Sequence, residues 1–184
     1  MPDRPSKNVI AQNLELLMSG RGFNFYDNKN QARADDLLVR QRASGFLTDA
    51  SQALTDLEAA YRGQYIPAST REQPYPPAEA MAKLKGIGQL RSKVSDIETQ
   101  IRGMSVPTQD KVWWRFRDEA VLLEQLVGFD YQLISQCRDI ADQVRAVTAD
   151  DWNAGTVTAG VNAKLTQLQT SIRERQQFLA IQVV

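Results

Sequence analysis

Lys111, Trp113, Trp114, Arg115 and Arg117 crowd three cations against two adjacent indoles in the segment KVWWRFR. Trp and Arg are enriched at the centres of protein interfaces, where a flat apolar ring and a planar donor are desolvated together. The same rings at the start of a helix also serve as a lid over the end of a core. Arg115 stands four positions before Glu119, so part of the positive charge is answered along the helix itself. Membrane docking calls for a continuous cationic face, which Asp118, Glu119 and Glu124 interrupt. Stacking of nucleic-acid bases calls for a wider basic groove. The favoured occupant is a protein partner, met by Trp113, Trp114, Arg115 and Arg117 together with Tyr75 in a proline-rich connection.

Glu119 and Asp130 are the second candidate for chemistry. On a wheel of 100° per residue both fall on the apolar face that carries Leu122, Leu126, Phe129, Leu133, Cys137, Ile140 and Val144. Inward carboxylates pair with cations across a helix interface and so set its register, or they ligate metal inside a bundle. The pairing reading predicts Arg175 opposite Glu119 and Lys164 opposite Asp130. The ligand reading makes the same carboxylates part of a small-molecule or metal site, an enzymatic one included. Asp36 is the one further acid on an apolar face, and no ligand spacing stands out, so no metal or cofactor is expected. Cys137 reads as an inert core thiol, because no histidine is present to activate it.

The absence of histidine is itself informative. Without imidazole there is no Ser–His or Cys–His nucleophile, no histidine general base and no carboxylate–histidine di-metal site. The 22 basic and 22 acidic residues cancel, so the chain projects no net field toward polyanions. The single cysteine cannot close an internal disulfide, and no secretory or spanning apolar run is visible, which together predict a cytoplasmic protein. The glycines of GRG (20–22) and KGIG (85–88) have no strand before them and are not phosphate loops.

The elements that position these residues are helices. A short one is predicted over 6–19, with Ile10, Leu14 and Leu17 on one face. A second, about 31–62, carries Val39, Ala43, Phe46, Ala50, Ala53, Leu57 and Ala60 at heptad spacing, with Leu47, Leu54 and Tyr61 on one shoulder. Pro67, Pro74, Pro76 and Pro77 impose an extended connection. A third helix, about 78–103, bears a narrow stripe of Ile87, Leu90, Val94, Ile97, Ile101 and Met104, and the narrowness also suits pairing with a second copy of the chain. A fourth is predicted over about 109–147. Thr148, followed by Asp150 and Asp151, caps a fifth, although Gly155, Thr156, Val157 and Gly160 weaken its first turns. A tight turn near 148 would place residues whose numbers sum to about 295 opposite each other on the last two helices.

Long amphipathic helices with short connections must cover their stripes by lying together. The expectation is one all-α domain over 1–184, an antiparallel four-helix bundle of long, coiled-coil-like helices with an additional short N-terminal helix. The function expected of it is non-enzymatic protein–protein interaction or scaffolding. Two other readings are a small-ligand or carboxylate–metal bundle, and peripheral membrane association through residues 1–30.

Overall fold

A computed structural model describes residues 29–71, 74–104 and 120–181. The described chain is helical, with no strand: α1 (Lys29–Tyr65), α2 (Ala78–Arg102), α3 (Ala120–Arg145), the short α4 (Ala149–Ala154) and α5 (Thr158–Ile181). The helix expected over 6–19 and the first part of the one expected over 109–147 lie outside the described residues. No described helix is long and apolar enough to cross a membrane.

Helix α1 holds its course for 37 residues because its buried positions recur without a break. Asp36, Arg40, Ala43, Leu47, Ala50, Leu54, Leu57 and Tyr61 alternate steps of four and three, and all are buried. The seam therefore runs through the shoulder residues Leu47, Leu54 and Tyr61. Phe46 and Ala53, expected at its centre, are half-buried, and Ala60 is exposed. The Phe46 ring instead carries the Arg42 guanidinium 4.5 Å from its centroid.

The α2 stripe matches expectation at every position from Ile87 to Met104, with Leu84 added. Pro77 precedes the helix in an extended conformation (φ −56°, ψ 129°), which a proline ring adopts without strain. Gly86 allows a close approach, since a Cβ there would sit 3.4 Å from Trp152 Cζ2.

Side-chain pairs fix the helix directions. Arg40 with Met104, Thr48 with Glu98 and Arg91 with Glu58 run α2 antiparallel to α1. Asp130 with Arg175 and Gln132 with Ser171 run α5 antiparallel to α3. These two hairpins meet along α1 and α3, which lie side by side in the same direction, Asp49 pairing with Arg145. Buried apolar residues of all five helices form one core cluster.

The predicted turn at 148 is not tight. Thr148 does cap a helix, through a reciprocal box in which its hydroxyl accepts from the Asp151 N–H and the Asp151 carboxylate accepts from the Thr148 N–H. That helix, α4, ends after six residues at Gly155, whose φ of 76° suits glycine and stops the rotation. The fifth helix of the sequence reading is thus two. The inserted α4 shifts the register, so facing residues on α3 and α5 sum to 303–305, as Gln132 with Ser171 and Asp130 with Arg175 do.

A buried ionic layer and the surfaces around it

Three helices contribute charged side chains to one buried layer. Asp36 and Arg40 occupy successive seam positions on α1, Asp130 lies on the buried face of α3, and Arg175 comes from α5. Their exposures are 1%, 6%, 0% and 2%. Such burial of ionised groups is tolerated when every charge is answered at close range.

Arg175 is the hub. Its Nε donates to Asp130 Oδ1 at 2.9 Å and its Nη2 donates to Asp36 Oδ1 at 2.7 Å. Arg40 Nη2 lies 2.8 Å from the other Asp36 oxygen, Oδ2, as an ion pair at an angle too poor for a hydrogen bond. Arg40 Nη1 donates to the Met104 carbonyl at 2.6 Å, just past the end of α2. A planar guanidinium suits this task because its donors are fixed in a fork and it stays ionised at any ordinary pH. One layer down, Gln132 donates to the Ser171 hydroxyl at 3.0 Å.

This layer corrects one pairing expected from the sequence. Asp130 is joined to Arg175, not to Lys164, which stands eleven residues and about 16 Å of helix rise away. The register shift caused by α4 is the reason. Glu119, expected opposite Arg175, lies outside the described residues, as do Trp113, Trp114, Arg115 and Arg117. The sequence marks Asp36 and Asp130 as inward acids, but Arg40 is not among the residues it singles out. The heptad phase set by Ala43, Leu47 and Ala50 was the signal that could have placed Arg40 inside.

A second polar group gathers at the opposite end of the hairpins. Trp152 is buried, and its Nε1 donates to the Lys83 carbonyl at 3.0 Å. Lys83 Nζ reaches the Asn153 carbonyl at 2.9 Å, and the Tyr61 hydroxyl donates to Asn153 Oδ1 at 3.1 Å. Asp150 accepts from Gln64 at 2.7 Å and from the Tyr65 hydroxyl. That last bond to a carboxylate raises the Tyr65 pKa above the ordinary phenol value. On the exposed rim, the Lys83 ammonium bonded to Glu79 lowers the carboxyl pKa of Glu79.

Cys137 lies fully buried on α3, two turns from Asp130, and burial pushes its thiol pKa far up. A thiol held protonated in an apolar setting is a poor nucleophile. Among the described residues no three Asp, Glu, Cys or His side chains converge on a point that could hold a metal ion.

The described surface also carries large apolar groups. Tyr75, in the proline-rich connection, is 81% exposed, and Met81, in the first turns of α2, is 42% exposed. Met81 lines an open groove with Ala78, Ala82, Gly88, Lys85 and Glu58. Lys164 is half-buried on α5. No family model, curated protein or solved structure matches this chain.

Proposed function

We propose that the chain is a non-enzymatic protein–protein interaction or scaffold module of the cytoplasm, its two hairpins closing into an antiparallel four-helix bundle. One observation carries the reading. The buried ionic groups among the described residues pair with one another, while two of the four large exposed apolar groups among them, Tyr75 and Met81, stand where the proline-rich connection enters α2. A carboxylate such as Asp130, with its oxygen held by a guanidinium, supports architecture better than ligand exchange. Tyr75 and Met81 have the character of interface anchors: large, apolar and of low rotamer cost for the ring. In this reading the working surface also includes Trp113, Trp114, Arg115 and Arg117, on the strength of their residue types.

Replacing Trp113 and Trp114 by Ala, and in a separate variant Tyr75 by Ala, tests the assignment when partner capture and melting temperature are measured on the same preparations. Loss of capture at unchanged melting temperature is the expected result. A large fall in melting temperature with capture intact makes the tryptophans a structural lid. A stoichiometric metal or metabolite found in the purified chain by elemental analysis and mass spectrometry would replace this reading with the carboxylate-site one.

A further inference from the structure

The narrow stripe of α2, which also suited pairing with a second copy, is taken up inside the bundle. The opposite side of the same helix faces outward. On a wheel of 100° per residue, Ala78, Met81, Ala82, Lys85, Gln89 and Ser92 fall roughly opposite the stripe, and all six are exposed and line the open groove. Most charges of α2 turn aside from this face. Arg91 and Glu98 reach Glu58 and Thr48 on α1, and Lys93 reaches Asn162 on α5. Glu58, at the edge of the groove, is answered by Arg91. Between those flanks, from 78 to 99, the wheel leaves two ionised side chains on the outward face, Lys85 and Asp96, about three turns apart and opposite in sign.

The outward side of a helix in a lone domain carries its charges. A side depleted of charge, with Met81 at 42% exposure, has the composition of a surface that closes against another protein. The order of its two charges names the occupant. If a second α2 lies antiparallel on the first about a twofold axis, every contact occurs twice, and Lys85 of each copy meets Asp96 of the other. Facing residues then sum to 181, which sets Gln89 against Ser92 and Ala82 against Thr99, uncharged on both sides. A parallel pair in register would instead bring Lys85 to Lys85 and Asp96 to Asp96.

We propose that the outward face of α2 is a homodimer interface, an antiparallel helix pair closed by two Lys85–Asp96 ion pairs. It rests on the interaction reading above and names a second copy of this chain as the protein that meets Met81. Apolar contact around Met81 supplies affinity. Exposed ion pairs contribute little to it, and they fix direction and register.

Sedimentation equilibrium of the full chain tests this, with the melting temperature of each variant as the check on folding. The native chain is expected to dimerise with a Kd below about 100 µM. Lys85→Glu and Asp96→Lys, each alone, are expected to weaken the dimer at least about tenfold, because either one sets like charges opposite each other twice. Mixed in equal amounts, the two variants are expected to form a heterodimer of native strength, since every pair then joins opposite signs. A native chain that stays monomeric, single variants as dimeric as the native chain, or a mixture that stays monomeric would each overturn the proposal. A benzophenone at position 81 separates it from the reading it rests on. An adduct to a second copy supports both, an adduct only to a different protein overturns the dimer and leaves the interaction reading standing, and no adduct at 75 or 81 removes both.

Discussion

Arg175 and Asp36 stand 139 positions apart in sequence, yet Nη2 of one lies 2.7 Å from Oδ1 of the other inside the core. Through Asp130 on the same guanidinium and Arg40 on the same carboxylate, the contact ties α1, α3 and α5 into one layer. Among the described residues, these four buried charged side chains pair with one another.

Arg175→Met is predicted to destabilise the fold by about 3–5 kcal/mol, because it leaves Asp130 buried without its guanidinium. Urea unfolding monitored by circular dichroism measures the change as a fall in the midpoint. A loss below about 1 kcal/mol, the range of exposed pairs, would mean that the layer is hydrated.

Trp152→Ala is predicted to cost about 3–5 kcal/mol, as large buried rings do when truncated. Trp152→Phe keeps most of the volume but leaves the Lys83 carbonyl without the indole donor, and should cost roughly 1–3 kcal/mol. The order of the two variants in thermal melts is the check.

Two glycines of α2 separate propensity from packing. A Cβ at Gly88 meets nothing within 4 Å, whereas one at Gly86 touches Trp152. Gly88→Ala should therefore gain the full helix-propensity difference of about 1 kcal/mol, raising the melting temperature by about 2–4 °C. Gly86→Ala should gain less.

The α4 cap predicts a pH effect. Hydrogen bonds from the Thr148 hydroxyl and backbone N–H hold the Asp151 carboxyl below its ordinary range. A carboxyl with a depressed folded pKa binds more protons unfolded than folded. Its contribution is then complete above the unfolded value, about 3.9, and is lost as pH falls through the folded one. Thr148→Ala should lower stability by about 1 kcal/mol near neutrality. It should also flatten the decline in melting temperature below about pH 4, measured against the native chain across the same buffers.

The α2 stripe was legible from Ile87 to Met104 because a narrow seam on a polar helix has one phase. Helix α1 offered two, Phe46–Ala53–Ala60 and Leu47–Leu54–Tyr61, flanking shared positions. Choosing between them needed Asp36 and Arg40 to count as core, which apolar patterning does not do. The Thr148 cap was readable from its residue types. The length of the helix it starts was not, since a left-handed Gly155 and a flexible mid-helix glycine look alike in sequence. The eight-to-ten-position shift in facing residues followed from that one turn and carried Asp130 from Lys164 to Arg175. Arg175 was expected inside as a partner of Glu119, but its bonds to Asp130 and Asp36 were not, because the first needed the shifted register and the second joins helices far apart in the chain.

Site-specific photocrosslinking in the native cell tests the proposed interaction surface most directly. A benzophenone side chain is placed at position 75 and, separately, at position 81, with exposed Asp139 on α3 as the control position. The account predicts a discrete protein adduct at 75 or 81 that is absent at 139 and disappears when Tyr75 and Met81 carry Ala and Asp beside a neighbouring crosslinker. Adducts equal at all three positions, or none at 75 and 81 from chains that melt at the native temperature, would contradict it.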